Sequence, residues 1–172
     1  MTNPQDLLRQ HGGLVWQTVY RLLAHDADAA DCFQETFLSA MEVARRQEVR
    51  NWPGLLHRLA TTRALDCLRR RYREANRRIE LPNWDELPAS AANPACQAQA
   101  SELAERLRQA LGQLPAQQSE VFCLRHLSGL DYEQIASELD ISVDVVGVTL
   151  HRARGRLREL LAPGRVDERT QR

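Results

Sequence analysis

Lysine is missing from this chain, aromatic residues are scarce and no apolar run is long, and each shortage removes a class of protein. Aromatics make up 5% of the residues while Ala, Leu, Arg, Gln and Glu abound, so helices are favoured over sheets and the expected fold class is all-α. No stretch approaches the roughly 18 apolar residues of a membrane span, and the N-terminus lacks the apolar core of a secretory leader. The expected location is therefore cytoplasmic, without membrane insertion. Cys32, Cys67, Cys96 and Cys123 are too far apart for a C-x-x-C pair or a Cys/His zinc spacing, so no metal site is expected and the thiols are read as reduced. Cys96, in a Pro-rich stretch, reads either as an exposed redox-sensitive thiol or, more simply, as incidental. Catalytic constellations are absent too: no paired carboxylates, no Ser/His/Asp or Cys/His set, no Gly-rich phosphate loop. Gly12-Gly13 stands alone, and His57 and His151 lie among basic residues. The chain reads as a non-enzyme without a cofactor.

What is present is charge, and it is segregated. Basic and acidic residues balance at 23 each, yet Arg45 to Arg78 holds eleven arginines against Glu48, Asp66 and Glu74. For an anionic partner, that local excess matters more than the sum. The exclusive use of Arg suits planar phosphate and base recognition, and it equally fits a GC-rich genome.

Leu81 to Ala95 contains Pro82, Pro88 and Pro94 among Asn, Asp, Ser and Ala, with Trp84 and Leu87 as large apolar groups, and reads as a linker. Three helices are expected before it, over 6–25, 27–46 and 53–78, and about four after it, over 98–114, 116–127 and a final pair. The expected architecture is two small helical domains, 6–78 and 98–161, joined by a Pro-containing linker over 79–97 and followed by a tail over 162–172. Pro53 and Pro115 fall where a first helical turn tolerates Pro, and Gly129 ends the helix before the final pair.

That final pair has the pattern of a helix-turn-helix. Asp131 is placed to cap the first helix with Gln134 closing a capping box, and Ile135, Ala136 and Leu139 form its inner face. Asp140, Ile141 and Ser142 make the turn. Ser142 caps the second helix, whose inward stripe is Val146, Leu150, Ala153, Leu157 and Leu160. Its other face carries His151, Arg152, Arg154, Arg156 and Arg158, dense enough to neutralise backbone phosphates while the helix N-terminus enters a major groove. A helical hairpin with a solvated charged face is the plainer alternative.

Two further surfaces stand out. In the second helix, Ala30, Phe33, Phe37, Ala40 and Ala44 form the expected inward stripe, and Asp28, Asp31, Gln34 and Glu35 gather on the other side. Acids near a helix N-terminus are favoured by its dipole alone, and equally suit docking to a basic protein surface. The third helix starts apolar on more than one side (Trp52, Leu55, Leu56, Leu59, Ala60, Ala64, Leu65, Leu68) and ends almost entirely in Arg. With the basic loop from Arg45 to Asn51 it suits phosphates and an unstacked base. A solvated charged end is the alternative, opposed by the shortage of acids to pair with these arginines.

The strings D-A-A-D-C-F-Q-E-T-F (28–37), R-A-L-D-C-L-R-R-R (63–71), L-P-A-Q-Q-S-E-V-F (114–122), D-Y-E-Q-I-A-S-E-L (131–139) and L-H-R-A-R-G-R-L (150–157) together resemble bacterial sigma factors. More narrowly, the chain resembles the extracytoplasmic-function group of the sigma-70 family, which keeps only regions 2 and 4. The resemblance covers about residues 10–78 and 100–161. It implies a promoter-specificity subunit that binds core RNA polymerase and directs initiation at minus-10 and minus-35 elements. Asp28, Asp31, Gln34 and Glu35 match the patch for the clamp helices of the polymerase's largest subunit. Arg45, Arg46, Arg50, Asn51, Trp52, Arg58, Thr62, Arg63, Asp66, Arg69, Arg70 and Arg71 fall in the part that recognises and melts the minus-10 element and captures a flipped base. Ser142, Asp144, Val145, Gly147, Val148, Thr149, His151, Arg152, Arg154 and Arg156 fall where the minus-35 element is read. Promoter DNA is thus an implied partner, an anti-sigma factor a further one, and no homo-oligomer is expected. The alternative is a polymerase-independent helix-turn-helix regulator, which predicts a stable dimer and a palindromic site.

The chain departs from the family pattern in places. Thr62 precedes Asp66 where Asn often does, Leu55 replaces an aromatic, and Asp140 replaces the turn Gly, although Asp can adopt the left-handed conformation. Gly147, Val148 and Thr149 stand where the recognition helix often carries Lys-Ser-Arg. Gly inside a helix costs about 1 kcal/mol relative to Ala, and Val148 with the Thr149 methyl would suit a thymine methyl. An unusual minus-35 preference is expected.

Overall fold

The computed structural model describes residues 4–78 and 94–162, the side chains of 78 and 94–99 excepted, and among these residues there are helices and no strand. In chain order they are α1 (Pro4–Leu23), α2 (Asp26–Arg46), α3 (Trp52–Arg78), α4 (Pro94–Gln113), α5 (Ala116–His126), α6 (Tyr132–Leu139) and α7 (Val143–Leu161). The fold is all-α, as composition predicts. α4 starts at Pro94 rather than at 98, since Pro in a first turn removes only an N–H that has no helical partner anyway. The rest of the expected linker, 79–93 with Trp84, and the tail beyond 162 lie outside the described residues. No described helix is long and apolar enough to cross a membrane.

α3 is the axle of the fold. It packs against α1 and α2 and also against α4, α5 and α6, which is why its first half is apolar on more than one side: Leu55, Leu56, Ala60, Ala64, Leu65 and Leu68 are all buried. α1 contributes Leu7, Val15, Val19, Leu22 and Leu23. The inner stripe of α2 is Ala29, Cys32, Thr36 and Ala40. This corrects the stripe read from the sequence, in which only Ala40 is right: small residues let α2 approach α3, while Phe33 and Phe37 lie half-buried at the flank. There they form an aromatic run, Phe33 with Phe37 at 5.1 Å and Phe33 edge-on to Trp16 at 6.0 Å between ring centroids.

The second block folds back on the first. The main core continues from α1–α3 into Ala110, Leu111 and Leu114 of α4, Cys123 of α5 and Leu157 of α7. Gly112 permits this closeness, because a Cβ there would lie 3.3 Å from the Leu68 carbonyl oxygen. A second, smaller core, Val121, Leu124, Leu130, Ile135, Ala136, Val146 and Leu150, belongs to the helix-turn-helix itself.

Candidate protein and nucleic-acid interfaces

The helix-turn-helix follows its sequence signals atom by atom. Gln134 N–H donates to Asp131 Oδ1 at 2.8 Å, and Asp131 N–H donates to Gln134 Oε1 at 2.9 Å, completing the capping box. Asp140 adopts the left-handed conformation (φ 53°), stopping α6 where the family places Gly. Ser142 Oγ accepts from Val145 N–H at 3.3 Å and opens α7. Val146, Leu150, Ala153 and Leu157 are buried, as the 3.6-residue period requires.

On the outer face of α7, Ser142, Asp144, Val145, Val148, His151, Arg152, Arg154 and Arg156 are exposed, and Gly147 is half-buried. Thr149 is not available: it is 7% exposed and belongs to the inner face, one turn on from Val146. That corrects its assignment to minus-35 reading and leaves Val148, 51% exposed, as the apolar group offered at that point. Arg154 lies 3.2 Å from His126 Nε2. Burial and the neighbouring Arg154 and Arg125 hold His126 below the ordinary histidine value, so near neutral pH the ring accepts from Arg154.

On α2, Asp31, Gln34 and Glu35 are exposed, but Asp28 is not free. Arg71 donates to the Asp28 carboxylate from Nε at 2.7 Å and also through Nη2, while its Nη1 donates to the Leu23 carbonyl at 3.1 Å. Burial pushes the Asp28 carboxyl upward, but the Arg71 hydrogen bond and charge outweigh it and hold the pKa below the ordinary value. Asp28 and Arg71 therefore tie α2 to α3 in this conformation. Leu38, 67% exposed, was missed by sequence reasoning. It lies seven residues after Asp31, on the same helical stripe as Gln34 and Glu35, and that register was the signal available.

The residues matched to minus-10 reading divide sharply. Arg45, Arg46, Arg50, Arg63, Asp66 and Arg70 are exposed, and Trp52 packs at the edge of the main core. Arg63 donates to Ser39 Oγ at 2.8 Å and approaches Glu35 at 4.0 Å, and Arg69 pairs with Asp66 at 2.7 Å. Four of the residues matched to minus-10 reading meet the second block instead. Asn51 Oδ1 accepts from Gly54 N–H at 3.1 Å, opening α3, while its Nδ2 donates to Glu138 at 2.8 Å. Thr62 Oγ1 donates to Glu120 at 2.6 Å, and Arg69 Nη2 donates to Ser119 Oγ at 2.6 Å. Arg58 lies near Glu138, whose carboxyl is pushed up by burial more than Arg58 and Asn51 pull it down. Carboxylates of α5 and α6 thus rest against the polar side of α3.

An acidic stripe, an Arg-rich central helix and a helix-turn-helix on one all-helical scaffold define a class of transcription protein. Residues 7–74 match the family model for Sigma-70 region 2, and residues 104–157 match that for Sigma-70, region 4. The chain belongs to the sigma-70 family. It is 35% identical over 163 residues, 94% of its length, to the ECF RNA polymerase sigma factor SigE of Mycolicibacterium smegmatis, and spans 63% of that relative. It is 29% identical over 169 residues to the RNA polymerase sigma factor YlaC of Bacillus subtilis, covering 96% of this chain and 95% of that one. Its fold is similar, with a TM-score of 0.54 at 23% identity over 91% of this chain and 95% of the other, to the sigma factor RpoE solved with the anti-sigma factor NepR from Bartonella quintana.

Proposed function

We propose that this chain is a promoter-specificity subunit: it binds core RNA polymerase and directs initiation at paired minus-10 and minus-35 elements. The observation that carries this reading is the exposure of Asp31, Gln34, Glu35 and Leu38 as one stripe of α2, beside a helix-turn-helix whose exposed face holds His151, Arg152, Arg154 and Arg156. Asp31, Gln34 and Glu35 supply charge and amide acceptors for the basic clamp helices, with Leu38 as the apolar contact between them. Residues 6–78 act as region 2, 79–97 as the linker, 98–161 as region 4 and 162–172 as a tail. The protein works in the cytoplasm and has no catalytic site of its own.

In this reading the described conformation is closed. Glu120 and Glu138 hold Thr62 and Asn51, and Ser119 holds Arg69, so part of the surface matched to minus-10 DNA is covered while the α2 stripe is open. Docking on polymerase comes first, and separation of α5 and α6 from α3 then exposes the minus-10 surface to an unpaired strand. An anti-sigma partner would act by preventing that separation or by covering the stripe.

Run-off transcription from a promoter library with core polymerase, with and without the chain, tests the function directly. Transcripts appearing only with the chain and sharing paired upstream elements are the expected result. No stimulation together with no polymerase binding transfers the reading to a polymerase-independent regulator. Replacing Arg152 or Arg154 by Ala should lower minus-35 affinity for all sequences and flatten its logarithmic salt slope by about 0.9 each. An unchanged slope removes those side chains from the phosphates.

A further inference from the structure

Two of the cysteines that look unrelated in the sequence face one another. α2 and α3 run antiparallel and are joined in register: Arg71 meets Asp28 at one end, and Arg63 meets Glu35 and Ser39 toward the other. Cys32 lies one turn beyond Asp28, and Cys67 lies one turn from both Arg71 and Arg63, so the two thiols occupy the rung between those contacts. Both are 6% exposed in the same core, and each lies close enough to shift the ionisation of the other. Arg70 Nη2 lies 3.7 Å from Cys67 Sγ.

We propose that Cys67 and Cys32 form a peroxide-responsive dithiol, with Cys67 as the reacting thiol and Cys32 as its resolving partner in a disulfide that joins α2 to α3. The surroundings separate the two roles. The neighbouring Cys32 thiol, with the charges of Arg71 and Arg70, holds Cys67 below the ordinary thiol value against burial and Asp28. Cys32 keeps its proton far longer, because it faces Cys67, is buried and lies near Glu35 and Asp28. Arg70 and Arg71 beside Cys67 favour its ionised form over that of Cys32, so Cys67 is the thiol that an oxidant reaching the seam attacks first. Cys123 provides the contrast: burial pushes its thiol up to about 12, which keeps it protonated.

The chemistry balances with a hydroperoxide as oxidant. The Cys67 thiolate attacks the outer peroxide oxygen, the O–O bond breaks, and the leaving alkoxide or hydroxide takes a proton, giving Cys67 sulfenic acid. Cys32, losing its proton, attacks the Cys67 sulfur, and the S–O bond breaks with release of water. Each sulfur gives up one electron, and the O–O bond takes up both. The site lies within the α2–α3 seam beneath the docking stripe, and its chemistry is independent of the functional reading above.

The test treats the reduced full-length chain with one equivalent of hydrogen peroxide and maps disulfides by mass spectrometry. A Cys32–Cys67 linked peptide is expected, with denatured free thiols falling from four to two. Cys32→Ser should leave a dimedone adduct on Cys67, formed with a rate that rises at a pH below the ordinary thiol range, while Cys67→Ser should leave none on Cys32. No linked peptide in the folded wild type, or linkage through Cys96 or Cys123 instead, overturns the pair. An adduct on Cys32 in the Cys67→Ser chain overturns the assignment of roles. The wild-type measurement needs no variant, and far-ultraviolet circular dichroism checks that the Ser variants are folded.

Discussion

α3 is held on one side by α2 and on another by α5 and α6, and the two seams are built differently. Arg63, Cys67 and Arg71 follow one helical stripe toward α2, whereas Arg58, Thr62 and Arg69 follow another toward the second block. The first seam contains an ion pair in which Arg71 serves both the Asp28 carboxylate and the Leu23 carbonyl. The second rests on Asn51 and Thr62 donating to carboxylates and on Arg69 donating to the Ser119 hydroxyl. It also leaves Arg58 Nε buried with no hydrogen-bond partner among the described residues, and it burdens Glu138 with burial. A satisfied pair resists separation, whereas an unsatisfied guanidinium nitrogen and a desolvated carboxylate recover hydration when their seam parts. The difference marks the α2 seam as scaffold and, in the proposed function, the α5–α6 seam as the joint that opens.

The comparison can be broken or sharpened at several points. The open stripe should show the largest effect: Asp31→Ala with Glu35→Ala should weaken core polymerase binding by at least about 100-fold in an anisotropy titration, since two charge-assisted contacts are lost and each is worth about 1.5 kcal/mol or more. Isolated DNA binding should be unchanged, and equal loss of both would mark misfolding. Arg71→Ala attacks the scaffold seam. With side chains about a third exposed for Arg71 and a quarter for Asp28, solvent screening reduces the cost to about 2 kcal/mol in chemical denaturation. Polymerase affinity should fall less than for the stripe variant.

Glu120→Gln with Glu138→Gln attacks the hinge seam and should raise affinity for single-stranded minus-10 DNA about 10-fold by removing carboxylates from a surface meant for phosphates. Unchanged affinity would show that the cover does not compete with DNA. The smallest effect is in the pH dependence, and the two seams have opposite signs. Asp28 has a depressed folded value, so its stabilisation is present above the ordinary 3.8 and is lost as pH falls through that value toward the folded one. Glu138 has a raised folded value, so stability rises as pH falls through that value, and the gain is complete at the ordinary 4.5. Asp28→Asn and Glu138→Gln should each remove their own segment from a curve of unfolding free energy against pH. Loss of the same segment by both would show a single coupled seam.

Elements with local causes were legible in the sequence, and those with distant causes were not. The caps at Asp131 and Ser142 and the turn at Asp140 depend on residues within one helical turn, so reading and structure agree. The α2 stripe was read through its largest apolar residues, Phe33 and Phe37. The structure instead gives the close approach to α3 to Ala29, Cys32 and Thr36, because only small side chains let the helices come near. Thr149 was assigned outward from a match of position, yet its place one turn from Val146 commits it to the helix-turn-helix core. Asp28 was grouped with Asp31, Gln34 and Glu35 by helix face and then by the family match, and nothing within its own helix revealed that Arg71, far along the chain, engages it.

Periodicity, caps and composition by themselves determined an all-helical protein, the place of its helix-turn-helix and the concentration of arginine along α3, because each follows from neighbours in the chain. Tertiary structure alone decided which of those arginines tie helices together and which remain exposed, which α2 residues are free, and that Cys32 meets Cys67. Those outcomes depend on the antiparallel register of α2 against α3 and on the return of α4 and α5 to α3, contacts between residues far apart in sequence that local pattern does not encode.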